Sequence, residues 1–162
     1  MSRILTTLGL LALLPVCAAA QDTQVAVGGL KQDTSAPVEV TADALQINQT
    51  EGTALYTGNV VVVQGDLRLA APSVLVVYSE AASRLERLEA TGGVTLVGPE
   101  EAAEAQRADY DFDTGTLVLT GDVLLTQGNS ALTSESMIVN LDDGTARMTG
   151  RVRSVLQPSG GN

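Results

Sequence analysis

The sequence predicts an all-β chain built from repeated antiparallel hairpins, and three observations carry that reading. The string Thr-Gly-x-Val occurs four times, at Thr57-Gly58-Asn59-Val60, Thr91-Gly92-Gly93-Val94, Thr120-Gly121-Asp122-Val123 and Thr149-Gly150-Arg151-Val152, with glycines 34, 29 and 29 residues apart. Fixed letters at a near-constant period mark stacked copies of one supersecondary unit. Around them run Val- and Leu-rich stretches in which apolar and polar residues alternate, the two-residue period of a strand. Turn chemistry separates the stretches at Glu51-Gly52, Gln64-Gly65-Asp66, Thr114-Gly115, Gln127-Gly128-Asn129 and Asp143-Gly144.

In chain order, residues 1–20 read as a secretory signal: Arg3, the apolar stretch Ile4 to Leu14, then the small residues Ala18-Ala19-Ala20. Cleavage after Ala20 would remove Cys17, the only cysteine, and leave no disulfide or thiol chemistry. Residues 21–36 are small and polar and are expected to form a flexible arm. Residues 37–157 form the expected β domain, and 158–162 a frayed tail. Pro99 to Arg107 interrupts the β pattern with Ala and Glu, and reads as one helical turn or a solvated acidic loop.

A second element accompanies the repeat: a small residue, then an acid or proline, then an alternating apolar run. Its copies start at Ala42-Asp43, Ala71-Pro72, Ala108-Asp109 and Ser134-Glu135. Each unit is therefore a strand, a turn, and a returning strand that carries Thr-Gly-x-Val. Residues 57–78 also align on 120–141 at a constant offset.

Parity identifies the apolar face. Counting by twos back from each glycine gives Tyr56 and Ala54, Ala90 and Leu88, Leu119 and Leu117, Met148 and Ala146. Counting forward gives Val60 and Val62, Val94 and Leu96, Val123 and Leu125, Val152 and Ser154. The other strands contribute Val38 and Val40, Ile47, Leu67 and Leu69, Val74 and Val76, Tyr110 and Phe112, Leu132, and the run Met137, Val139 and Leu141. If each strand runs unbroken, Gly58, Gly92, Gly121 and Gly150 fall on this face and form a crease along it, whereas a bulge would flip the parity beyond each glycine.

Composition narrows the chemistry. The chain has no histidine, one lysine (Lys31) and a net charge of −10. That removes histidine bases, His-ligated metals and Ser-His-Asp triads. It also disfavours nucleic acid and anionic membrane surfaces as partners. Asp113-Thr114-Gly115-Thr116 matches an aspartic-protease string, but that chemistry needs a second carboxylate and a turn is the simpler reading. Asp109, Asp111 and Asp113 resemble the opening of a calcium loop without its glycine or its closing glutamate, and acids at alternate positions read as a solvated outer face. Arg147, Arg151 and Arg153 read as charged protection of an edge strand. No catalytic residue, cofactor or metal is expected.

Pro37-Val38-Glu39-Val40-Thr41-Ala42-Asp43, the segment Tyr56 to Gly65 and the segment Leu117 to Val123 resemble the LptA/OstA family, over residues 37 to 157. The resemblance implies an open, twisted β-jellyroll in the periplasm that shields lipopolysaccharide acyl chains on their way to the outer membrane. The apolar positions above would then line a lipid-binding groove. It further implies strand addition to an LptC-like inner-membrane partner and an LptD-like outer-membrane partner, and head-to-tail self-association, with edges at residues 37–41 and 145–157. Two alternatives stay open: an LptC-like or LptD-like domain of the same system, and a β-repeat scaffold without lipid cargo.

Overall fold

The computed structural model describes residues 23–79 and 84–157; the expected signal peptide at 1–20, with Cys17, and the tail at 158–162 lie outside them. The strands are β1 (Thr23–Ala26), β2 (Val38–Thr41), β3 (Ala44–Asn48), β4 (Thr53–Gln64), β5 (Leu67–Tyr78), β6 (Leu85–Val97), β7 (Glu101–Asp111), β8 (Thr116–Gln127), β9 (Ser130–Asn140), β10 (Thr145–Thr149) and β11 (Arg153–Val155). They form one antiparallel sheet of 11 strands in the order β1-β10-β9-β8-β7-β6-β5-β4-β2, with β3 also on β4 and β11 also on β9. The two ends of that order do not pair, so the jellyroll is open.

The Thr-Gly-x-Val repeat is a row of corners. On β4 the pairing Thr57↔Ser73 resumes as Val60↔Ala71, and the register shifts in the same way at Thr91/Val94 and Thr120/Val123. Each corner holds two successive left-handed residues: Gly58 and Asn59 at φ 79° and 47°, Gly121 and Asp122 at 85° and 47°, Gly150 and Arg151 at 80° and 44°, Gly92 and Gly93 at 93° and 96°. Such a pair bends the strand sharply, and glycine takes the first position without steric cost. The inward residues are four apart across the corner on the glycine strand (Tyr56 and Val60, Leu119 and Val123). They are three apart on the strand beside it (Ala71 and Val74, Ser134 and Met137). An even spacing keeps the parity of the glycine strands, so counting by twos finds the inward side chains on both sides of a break.

The glycines themselves are not on the inner face. A Cβ at Gly58 would stand 2.6 Å from Asp43 Oδ2, and one at Gly121 2.9 Å from Gln106 Cβ. Asp43 and Gln106 are exposed, so each glycine faces the outer side of its neighbour and no crease of glycines lines the interior. This contact also corrects the third copy of the companion element. The residue opposite Gly121 is Gln106, so the copy is Ala105-Gln106 and not Ala108-Asp109. Three corners carry a polar clasp across the strands: Asn59 Nδ2 donates to Asp43 Oδ2 at 2.7 Å, Gln106 Nε2 to Asp122 Oδ2 at 2.7 Å, and Arg151 Nε to Glu135 Oε1 at 2.7 Å. The longer first interval of the repeat falls in the β5–β6 connection, where Tyr78 pairs with Leu85.

Two further expectations are corrected. Residues 101–107 are neither helix nor loop but the first part of β7, which pairs with both β6 and β8. Glu101, Ala103 and Ala105 alternate inward there, and pairing on two sides overrides the helix propensity of Ala and Glu. Residues 23–36 are not a free arm. Thr23 to Ala26 pair with Met148 to Thr145 as β1, a 3-10 turn follows at Gly28–Leu30, and Val27 and Leu30 are fully buried.

Candidate functional site

A single sheet can bury a whole face only by folding onto itself, and the corners fold this one lengthwise. Each long strand has two legs. Val60, Val62, Leu67, Leu69, Val94, Leu96, Ala103, Val123, Leu125 and Leu132 line the first leg. Ala54, Tyr56, Val74, Val76, Leu88, Ala90, Ala108, Tyr110, Leu117, Leu119, Met137, Val139, Leu141, Ala146 and Met148 line the second. The legs face each other across one apolar interior. Tyr110 Oη on the second leg donates to Gln64 Oε1 on the first at 3.3 Å. Burial, and then the negative charges of Asp142 and Asp111, push the Tyr110 phenol up to about 12.

The expected groove positions separate into two groups. Val60, Leu67, Leu69, Val74, Val76, Leu96, Leu117, Leu119, Val123, Leu125, Leu132, Met137, Val139, Leu141 and Met148 are buried in the packed middle. A cavity of about 30 Å³ remains between Val62, Leu69, Leu96, Tyr110 and Leu117, room for about one water molecule. Val38 and Phe112 border that cavity too, and with Val40 and Tyr56 they line an open hollow of about 290 Å³ together with Val76, Tyr78, Leu85 and Leu88. Tyr56 and Tyr78 continue it into a wider hollow of about 520 Å³ that reaches Ile47. Ile47 pairs with Ala54 and Leu45 with Tyr56, so both face inward by register, yet they are 64% and 50% exposed. The interior therefore has a mouth, at the β2–β3 edge.

The fold of the chain before β2 completes the site. Residues 27–36 run along the seam between the tips of the two legs. On the second leg, Val27 N–H donates to Gly144 O at 2.9 Å and Gln32 N–H to Leu141 O at 2.8 Å, while Thr34 Oγ1 donates to Asp142 Oδ1 at 2.8 Å. On the first leg, Gly29 N–H donates to Glu101 Oε1 at 3.1 Å, and Gln64 Nε2 donates to the carbonyls of Thr34 and Ala36 at 3.0 and 3.1 Å. Asp66 N–H donates to Gln32 Oε1 at 3.2 Å. Glu101 is buried; its Oε1 also accepts from Gln127 Nε2 at 2.8 Å, and its Oε2 has no hydrogen-bond partner. Sequence reasoning missed Val27, Leu30 and Glu101. Val27 ends the short run Val25-Ala26-Val27 and Leu30 stands between Gly29 and Lys31, and neither pattern is long enough to announce that they are covered.

The edges differ from expectation on one side. β2 and β3 each pair only with β4 and form one edge of the sheet, as expected for residues 37–41. At the opposite end β1 covers β10, so residues 145–149 are occupied; the strands left with an uncovered edge are β1 and, within the expected 145–157, β11, with Val155 and Leu156 exposed beside it. Outside the trough the surface is charged. Arg107 bridges Glu89 at 2.8 Å and Asp109 at 2.5 Å, and Arg87 meets Glu89 at 2.9 Å. Asp111 Oδ1 accepts the N–H groups of Asp113 and Thr114 at 2.9 Å each, and Arg84 pairs with Asp113. Asp113 thus sits in a hairpin turn, and no group of carboxylates arranged to hold a metal ion occurs among the described residues. The buried polar side chains among those residues are Gln64, Glu101 and Ser134, and none is cationic.

Residues 39–145 match the family described as LptA/(LptD N-terminal domain) LPS transport protein. An uncharacterized protein of Rhizobium meliloti (strain 1021) is 31% identical over 157 residues, covering 90% of this chain and 84% of that protein. The lipopolysaccharide export system protein LptA of Haemophilus influenzae (strain ATCC 51907 / DSM 11121 / KW20 / Rd) is 25% identical over 141 residues, covering 80% and 82%. The crystal structure of LptH, the LptA homologous periplasmic component of the lipopolysaccharide transport device of Pseudomonas aeruginosa, superimposes with a TM-score of 0.70 at 20% identity. It covers 78% of this chain and 99% of that one, a likeness of fold.

Proposed function

The chain belongs to the LptA/(LptD N-terminal domain) family of LPS transport proteins, and from that premise we propose that it is a periplasmic carrier that shields lipopolysaccharide acyl chains between the inner and outer membranes. The observation that carries the proposal is the continuous apolar interior between two legs of one sheet, open at the β2–β3 edge. Transferring an acyl chain into water costs about 0.8 kcal/mol per methylene, so a multi-chain lipid needs a long apolar lining rather than a polar pocket. The interior polar groups Gln64, Glu101 and Ser134 offer no cationic grip for phosphate, which leaves headgroups outside and avoids a station where transfer would stall. Residues 1–20 would direct export and be removed by cleavage after Ala20.

Strand addition suits the two ends of the sheet. An unpaired edge presents free N–H and C=O groups to another chain, and β2–β3 at one end and β11 at the other would receive LptC-like and LptD-like partners or a second copy. Head-to-tail contacts of this kind are heterologous and can propagate.

The rival, a β-repeat scaffold without cargo, draws on one observation: the middle of the interior is packed, with a cavity of only about 30 Å³. Photocrosslinking from Val40 at the mouth and from Val62 and Leu119 in the middle separates the two readings. The carrier yields lipopolysaccharide adducts at all three; adducts at none would leave the scaffold.

A further inference from the structure

Residues 27–36 lie along the seam through which the two legs would part. We infer that this strap is an intramolecular occupant of the acyl trough, and that lipid loading requires its release. The inference rests on the carrier reading and supplies its regulation.

Four observations converge. The residual cavity admits about one water, so no acyl chain reaches the middle until something leaves. Among the segments that line the interior, the strap is held outside any strand ladder. β4 and β5 share ten registered pairs, whereas the strap is tied by single bonds to hairpin tips, such as Val27 N–H to Gly144 O and Gln32 N–H to Leu141 O. Segments with few cooperative bonds open first. Val27 and Leu30 join the buried apolar cluster with branched aliphatic side chains at 0% exposure, the chemistry an acyl chain offers. Finally, the latch carries its own penalty: Glu101 binds Gly29 N–H through Oε1 while Oε2 is buried without a partner. A buried unsatisfied carboxylate oxygen favours the open state, in which water reaches it.

A site that must first open binds with an affinity reduced by the fraction that is open. Releasing the strap therefore tightens binding. Two substitutions release it without touching either leg. Leu30→Asp makes its burial unfavourable. Gly29→Ala adds a Cβ that would overlap Glu101 Oε2. Each should bind lipid A about tenfold more tightly than the parent chain, with sheet content unchanged by circular dichroism. In a Cys17→Ser background, the pair Thr34→Cys and Asp142→Cys joins side chains that now hydrogen-bond across the seam. The oxidised form should lose lipid A crosslinking from Leu119, and reduction should restore it. In the parent chain, lipid A should accelerate hydrogen exchange at Leu30 and Gln32 while β8 stays protected.

Equal lipid A binding by the parent, released and locked forms, with strap amides still protected in the complex, overturns the strap and leaves the carrier intact. Absence of lipid A binding in every form, the released ones included, overturns the carrier reading and the strap with it.

Discussion

Alanine substitutions at two corner glycines separate backbone strain from cross-strand collision. Gly93 and Gly121 both occupy left-handed backbone, at φ 96° and 85°. An L side chain there costs about 1–2 kcal/mol. At Gly93 that is the whole penalty, because a Cβ would have no neighbour within 4 Å. At Gly121 the Cβ would lie 2.9 Å from Gln106 Cβ, an atom fixed to the backbone of β7 that cannot swing aside. Overpacking adds about 1–3 kcal/mol, so Gly121→Ala should cost roughly 2–5 kcal/mol against about 1–2 for Gly93→Ala. At about 2–4 °C per kcal/mol for a chain of this size, thermal unfolding should fall by roughly 2–8 °C for Gly93→Ala and roughly 4–20 °C for Gly121→Ala. Urea midpoints should move in the same order. Adding Gln106→Gly to Gly121→Ala should recover the collision part and leave the strain. Equal losses at the two glycines would refute the close approach of β7 and β8 at this corner. A stable Gly121→Val that blocked lipid crosslinking from Leu119 would place the glycine on the inner face after all.

Two further outcomes follow from the same geometry. Arg151→Ala should change stability by less than about 1 kcal/mol, because the Arg151–Glu135 clasp joins side chains that are 89% and 57% exposed and screened pairs contribute little; urea unfolding beside Gly150→Ala shows whether the corner depends on its backbone or its clasp. Tyr110 should ionise late, its folded value raised to about 12 from about 10 in the unfolded chain. A raised value means that its contribution is complete below about pH 10 and is lost as pH climbs toward 12. Tyr110→Phe should abolish that part of the alkaline decline, read from phenolate absorbance together with unfolding.

The repeat and the alternation made the sheet legible, because both are local signals of period two and of corner chemistry. They also located the inward side chains, for a reason alternation alone does not contain: the corner spaces Tyr56 and Val60 four apart and so preserves their parity. What alternation could not say is where the glycines face. Gly58 belongs to neither leg, and only the register of β3 on β4 brings Asp43 against it. The β7 strand was hidden for a different reason. Ala102 to Gln106 has the composition of a helix, and its strand state comes from pairing with β6 and β8, which lies outside any local window. The strap was hidden most completely, since Val27 and Leu30 owe their burial to hairpin tips more than 60 residues away in sequence, at Gly98, Glu101 and Gly144.

Magnitudes decide whether a packed interior and a lipid cargo are compatible. Withdrawing Val27 and Leu30 exposes two aliphatic side chains, at about 1.5–3 kcal/mol each, while Glu101 regains water. Shielding about ten methylenes of one acyl chain returns roughly 8 kcal/mol at 0.8 kcal/mol each. One chain therefore more than offsets the strap, and a lipid with several chains does so by a wide margin. A lone aliphatic side chain from a passing peptide, worth no more than Leu30 itself, does not. The same packing that closes the middle of the interior to other apolar groups thus selects for a cargo with long, multiple chains. The seam can open during that exchange without loss of a long strand ladder, because the strap is joined to the hairpin tips by separate bonds and continues only into the four pairs of β1 on β10.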